Sequence, residues 1–164
     1  MPAEPACLEK GRIMTSQTAA GSTLAISVVS PVTNDAAGFT ALTFTDIGNV
    51  EKIGTIGTTF AKVEFQPLKG GKQKYKGSPD YGALQPSLAL DNADAGQNIL
   101  QTSADDESQK LYSFKATLQD GAKRFFQGRT FGMPETIDSA DSMVMAAPTL
   151  EICTKPIKVA APTV

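Results

Sequence analysis

The chain of 164 residues contains no histidine, no tryptophan and only two cysteines, Cys7 and Cys153. Histidine is the commonest general base and the commonest metal ligand, so its absence argues against most catalytic triads and most zinc sites. The two cysteines lie at opposite ends of the chain and do not have the spacing of a metal-binding pair. The carboxylate pairs Asp105–Asp106 and Asp138–Asp141 lie in polar turns, where solvated acids are expected. We therefore predict no catalytic residue, no cofactor, no metal site and no enzymatic activity.

Long apolar runs and a strong net charge are missing as well. No stretch approaches the ~20 apolar residues of a membrane helix. The first residues, MPAEPACLEKGR, contain acids and lack the apolar segment of a signal peptide. We therefore expect no membrane anchor and folding in a cytoplasm. A net charge of −2 is too small to favour a nucleic-acid-binding surface.

The scarcity of cysteine leaves two interpretations of Cys7 and Cys153 open. In a reducing cytoplasm both are free thiols. Alternatively, they bridge the terminal segments of neighbouring subunits after release to an oxidising exterior. The sequence does not place their Cα atoms within bridging distance.

Short alternating runs separated by glycine and proline indicate a mainly β fold. Residues 24–30 and 111–119 are typical strands, and Asp120–Gly121 is a hairpin turn between the second of these and the run that follows. Residues 143–152 read as one last strand. We predict two packed antiparallel β-sheets, sandwich- or barrel-like, with one flanking α-helix and a long hairpin loop. The β domain spans residues 23–155, with terminal arms at 1–22 and 156–164.

Residues 82–106 read as a strand that runs into the single helix. Leu84, Pro86, Leu88 and Leu90 alternate with other residues, as in a half-buried strand. Asp91 and Asn92 are candidate N-caps. The predicted helix ends near Thr102–Ser103, and its apolar stripe comprises Ala93, Gly96, Ile99 and Leu100. Because glycine disfavours a helix interior, Gly96 indicates a close approach to a sheet.

A basic segment and an acidic segment lie on either side of this helix. In the run 60–68, Val63 and Phe65 are expected to point inward. Residues 68–82 then form an exposed basic hairpin or loop, either solvated or a contact arm. The acidic turn follows the helix, and opposite charges on separate elements suit head-to-tail self-association. The interface candidates are Lys69, Lys72, Lys74, Tyr75, Lys76, Asp105, Asp106 and Glu107.

In order and spacing, the segments resemble a tail tube protein of long-tailed bacteriophages. The similarity covers roughly residues 21–155. The segments that carry it are 21–27 (GSTLAIS), 38–57, 63–77 (VEFQPLKGGKQKYKG), 81–100 (YGALQPSLALDNADAGQNIL), 112–121 and 141–152.

This resemblance implies a structural subunit of a virion tail, assembled in the host cytoplasm. Its hexameric rings would stack into a hollow tube that conducts double-stranded DNA without sequence-specific binding. The loop 67–82 would contact neighbouring subunits, and tape-measure and tail-terminator proteins would be the other partners. One alternative is the tube protein of a contractile tail or a type VI secretion-like system. A different class is a β-sandwich surface or binding domain.

Overall fold

The computed structural model describes residues 16–163, in which thirteen strands and two helices form. Cys7 and most of the predicted N-terminal arm lie outside this range. In chain order the elements are β1 (Thr23–Ser27), α1 (Ala36–Thr40), β2 (Thr45–Ile47), β3 (Val50–Lys52), β4 (Thr59–Phe65), β5 (Gln73–Asp80), β6 (Ala83–Leu84), β7 (Ser87–Ala89), α2 (Ala95–Asp105), β8 (Tyr112–Thr117), β9 (Lys123–Thr130), β10 (Glu135–Thr136), β11 (Met145–Ala146), β12 (Leu150–Ile152) and β13 (Ile157–Val159).

The strands form two packed sheets and a separate hairpin, and every pairing is antiparallel. The large sheet has the order β2-β1-β8-β9-β12-β6, and β13 pairs with the free half of β9. The small sheet has the order β10-β11-β7-β3. Among residues 16–163, strands β4 and β5 form ladder hydrogen bonds only with each other. The mainly β, two-sheet prediction is confirmed, and the large sheet stays open instead of closing into a barrel.

Two buried prolines lie where the chain crosses from one sheet to the other. Pro86 separates β6 in the large sheet from β7 in the small sheet. Pro148 likewise separates β11 from β12, because proline has no N–H to continue a ladder. The predicted single strand at 143–152 is therefore wrong in its continuity, although Ala146, Leu150 and Ile152 are buried as expected.

The main core lies on the face of the large sheet that α2 and the small sheet cover. Leu24 and Ile26 of β1 pack there with Leu100 of α2. Phe114 and Phe126 are cross-strand neighbours on this face, and their rings stack with centroids 5.4 Å apart. Such apolar burial provides most of the free energy that orders the strands.

The opposite face of the large sheet is also covered, although the alternation in β8 predicts a polar face there. Phe39 of the short helix α1 stacks on Phe125 with ring centroids 5.4 Å apart. Ser113 is completely buried, and its hydroxyl donates to the Val29 carbonyl at 2.8 Å. The short helix was not predicted, because five residues carry too little periodicity to be recognised.

Helix α2 confirms the predicted helix but begins later than expected. Its N-cap is Asp94, whose carboxylate accepts from the Gln97 amide, so the N-cap assignments to Asp91 and Asn92 are wrong. Ala93 therefore precedes the helix and is exposed. Gly96 and Leu100 are buried as predicted, and a side chain at Gly96 would meet the backbone of Asp46 and Ile47.

The two termini differ in how they join the fold. The segment predicted as a C-terminal arm contributes β13 to the large sheet. Residues 16–22 contain no strand, and the Gln17 side chain accepts from the Asp120 amide at 3.0 Å. None of the helices in the described range has the length and apolar character needed to cross a membrane.

Candidate interaction surfaces

The β4–β5 hairpin, residues 59–80, is the longest exposed element among residues 16–163. Every residue of its two strands is exposed except Gly77, which is half-buried. A two-stranded ribbon is marginally stable on its own in water. The structure thus confirms an exposed basic hairpin and makes the inward orientation of Val63 and Phe65 wrong. The period-two pattern that predicts an inward face is present, but in the described part of the chain no core residue covers this face.

The hairpin has one apolar face and one basic face. The register pairs Val63 with Tyr75 and Phe65 with Gln73, which places these side chains on the same face. Val63, Phe65 and Tyr75 are 50%, 57% and 54% exposed. Large apolar side chains grouped in this way on a surface are typical of an interaction site.

The opposite face carries the charges. Lys62 is paired with Lys76, and Glu64 with Lys74. Lys62 contacts Glu64 at 2.7 Å, Lys72 contacts the same carboxylate, and these two ion pairs lower the pKa of Glu64. The Lys76 ammonium lies 5.0 Å from the centre of the Phe60 ring. The lysines thus outnumber the acids, and this face is basic.

The tip of the hairpin presents a leucine followed by two lysines. The Gln66 side chain donates to the carbonyls of Pro67 and Gly70 and so holds the turn. Leu68 is fully exposed at this turn, with Lys69 beside it in the chain and Lys72 at the start of the return.

The predicted acidic turn, residues 105–107, is largely engaged within its own subunit. Asp105 accepts from the Gln101 side chain at 3.0 Å. Asp106 accepts from the Ser108 amide at 2.8 Å and from the Tyr112 hydroxyl at 3.0 Å. Hydrogen bonds from Ser108 and then Tyr112 lower the pKa of Asp106, while burial and this carboxylate raise the pKa of Tyr112. Its role as partner of the lysines stays a prediction.

A second acidic surface is present at residues 135–143, which we call the acidic segment. It contains Glu135, Asp138 and Asp141 and no basic residue. Ile137 and Met143 are 77% and 69% exposed on it. Within residues 16–163 no ion pair involves these acids. From the sequence alone this region is predicted to be a polar connection. The signal that this prediction leaves unused is the position of Asp138 and Asp141 between two large apolar residues, Ile137 and Met143.

The acidic segment borders a cavity of about 550 Å³. Met143, Met145 and Ala89 contribute its apolar wall, and Asp138 and Glu51 are the acids that line it. Methionine side chains adapt their shape and are common on surfaces that bind other proteins. The cavity is therefore suited to an apolar side chain accompanied by positive charge.

Cys153 is half-buried and unbridged. Its sulfur lies 3.4 Å from the Arg129 guanidinium, which also donates to the Gln109 carbonyl. Because Cys7 lies outside the described residues, their proposed bridge stays a prediction. In the described part of the chain, no group of three or more metal-ligating side chains comes together.

The comparisons with known proteins identify a shared fold. No protein-family model matches the chain, and no curated protein matches it. Among solved structures, a chain of the anti-feeding prophage (AFP) baseplate aligns with a TM-score of 0.63 and 9% identity. The alignment covers 87% of this chain and 93% of that one.

Two chains from an extracellular contractile injection system called PVC are also similar. The chain from its sheath/tube terminator aligns with a TM-score of 0.63 and 9% identity, over 90% of this chain and 99% of that one. The chain from its sheath-tube complex aligns with a TM-score of 0.62 and 10% identity, over 90% and 94%. The protein therefore shares its fold with components of contractile particles.

Proposed function

We propose that the protein is a structural subunit of a phage-type tail, and specifically that it forms the tail tube. The observation that carries the proposal is an amphipathic hairpin that pairs with no other strand among residues 16–163, on a fold shared with components of tailed particles. A hairpin that docks on a different surface of the next copy makes a heterologous contact, and repeated heterologous contacts close into rings or extend into filaments. The role is structural and not enzymatic.

In this proposal the subunits form hexameric rings that stack around a hollow lumen. Double-stranded DNA passes through the lumen during ejection, and a mildly acidic protein does not retain the polyanion. Tape-measure and tail-terminator proteins occupy the interior and the end of the tube. The assembled protein resides in the virion or in a phage-like particle.

A second candidate is the tube protein of a contractile tail or injection system. The likeness to a chain of the PVC sheath-tube complex favours it. The two candidates share the ring and differ in the sheath. Co-expression with contractile-sheath subunits from the same genome separates them, because only a contractile tube co-purifies with a sheath.

Negative-stain electron microscopy of the purified protein tests the shared part of both candidates. We expect sixfold rings or hollow tubes at high concentration, and sedimentation that shifts with concentration. A protein that stays strictly monomeric at millimolar concentration overturns the proposal and favours a β-sandwich binding domain.

A further inference from the structure

We propose that the tip of the hairpin docks in the cavity beside the acidic segment of the next subunit. Leu68 enters the cavity, and Lys69 and Lys72 face Asp138 and Glu51 at its rim. The inference rests on the proposed function and names the two surfaces that meet in the assembly.

The hairpin tip and the cavity match in size and polarity. Leu68 is a fully exposed side chain at the end of an element that projects from the fold. The cavity of about 550 Å³ has an apolar wall that includes Met143 and Met145. Burying a leucine against methionines removes apolar surface of both copies from water, which favours association.

The charges of the two surfaces are complementary. Lys69 directly follows Leu68 in the chain, and Lys72, which also contacts Glu64 of its own hairpin, lies at the start of the return; Asp138 and Glu51 line the cavity. Opposite charges around an apolar contact fix its register and speed the encounter. Asp138 has no ion-pair partner among residues 16–163, so it is free to meet an ammonium group.

The acidic turn is a poorer acceptor than this cavity. Asp105 and Asp106 already accept hydrogen bonds from donors in their own subunit. The cavity beside that turn is only about 140 Å³. Among residues 16–163 the Asp138 carboxylate accepts no hydrogen bond, and Glu51 accepts only a long one of 3.3 Å from the Ser87 hydroxyl. With exposed apolar side chains and a larger cavity beside it, the acidic segment is the better acceptor for a leucine followed by two lysines.

A charge-reversal experiment with a matched control tests the contact. The double variant Lys69→Glu/Lys72→Glu should raise the critical concentration for assembly roughly tenfold or more, because it places like charges together. Adding Glu51→Lys and Asp138→Lys to the same chain should restore assembly. Adding Asp105→Lys and Glu107→Lys restores the same net charge and should leave assembly impaired. Circular dichroism verifies that each variant is folded.

Cross-linking gives a second readout that does not depend on charge. In a background with Cys7→Ser and Cys153→Ser, a Lys69→Cys chain is mixed with a Met143→Cys chain and treated with a short bis-maleimide. We expect a cross-linked dimer of the two chains, and none when Glu107→Cys replaces Met143→Cys.

The outcomes distinguish this inference from the proposed function. Three results, each obtained while the wild-type protein forms tubes, overturn the docking site and leave the proposed function intact. They are restored assembly with the Asp105→Lys and Glu107→Lys substitutions, restored assembly with neither pair of substitutions, and absence of a cross-link to the Met143→Cys chain. A wild-type protein that forms no rings or tubes and no cross-link overturns both.

Discussion

At the scale of single residues, Gln97 connects three parts of the molecule. Its side-chain amide donates to the Gly48 carbonyl at 2.9 Å and to the Ala89 carbonyl at 3.0 Å, and its oxygen accepts from the Asp91 amide at 2.8 Å. Gly48 follows the edge strand of the large sheet, and Ala89 ends β7 of the small sheet. Gln97 therefore ties α2 to both sheets, and its side chain is buried with its polar atoms paired.

Replacing the Gln97 side chain should lower the free energy of unfolding by more than the size of the side chain implies. We expect Gln97→Ala to lower the free energy of unfolding by about 1–3 kcal/mol, because it leaves the half-buried carbonyls of Gly48 and Ala89 and the Asp91 amide without their partner. Urea denaturation measures the change. Asn98→Ala, on the exposed side of the same helix, is the matched control and should change stability by about 0.5 kcal/mol or less. Equal effects of the two substitutions contradict the proposed role of Gln97.

The pKa of Asp106 predicts an acid-dependent part of the stability. Because its folded-state pKa is lowered, Asp106 stabilises the fold above its unfolded pKa of about 4, and this stabilisation is lost as the pH falls through the folded-state value. We expect Asp106→Asn to unfold with a shallower dependence on pH than wild type in urea titrations between about pH 5 and pH 2. Asp35 and Glu64 have lowered pKa values too, so part of the dependence should remain. Identical slopes contradict the prediction.

Residues of α2 show how far the sequence predicts local detail. Gly96 stands where alanine favours a helix, so its unfavourable propensity indicates the close approach that the structure confirms. The role of Gln97 has a weaker signal, the spacing Asp94-x-x-Gln97, which is typical of a capping box. This spacing locates the start of the helix. It does not reveal the two carbonyls of Gly48 and Ala89, because these are distant in sequence and approach only through the fold.

At the scale of elements, the hairpin shows why a strand pattern is ambiguous. Alternation in β4 and β5 predicts one apolar face, and the structure has that face. The pattern does not state whether the face is covered by its own subunit or by another one. What distinguishes this hairpin in the sequence is the length and basic charge of its turn, Pro67–Lys72, which contains two lysines and two glycines and no acid. The proposed acceptor, the cavity beside the acidic segment, has no periodic hydrophobic pattern in the sequence.

The apolar face should be required for assembly and dispensable for folding. We expect Val63→Thr/Phe65→Thr to abolish rings and tubes while the monomer retains its denaturation midpoint, because both side chains are exposed and threonine suits a strand. Electron microscopy and urea denaturation measure the two properties. Lys62→Thr/Glu64→Thr alters the opposite face of the same strand by the same number of residues and is the control. Loss of monomer stability in the first variant contradicts the assigned face.

At the scale of the whole molecule, the sequence predicts the layers better than the connections between them. The two packed sheets and the main helix follow from periodicity, because each has a continuous apolar face. The crossings at Pro86 and Pro148 are not predicted in the same way, since a strand that changes sheets keeps its alternation. The second covered face, with Phe39 on Phe125, also depends on contacts between distant residues.

Assembly should change the dynamics of the hairpin and leave the core unchanged. In the monomer the amides of 59–65 and 73–80 are protected only by a two-stranded ribbon, so they open readily and exchange fast. A docked hairpin can break its β4–β5 hydrogen bonds only after it leaves the neighbouring copy. Binding to that copy therefore stabilises the hydrogen-bonded form of the hairpin. Hydrogen–deuterium exchange with mass spectrometry should therefore slow at the hairpin in tubes. Peptides from β8 and β9 are the internal reference, since these central strands are protected in both states. Hairpin exchange that is equally fast in monomers and tubes places the subunit contacts elsewhere on the molecule.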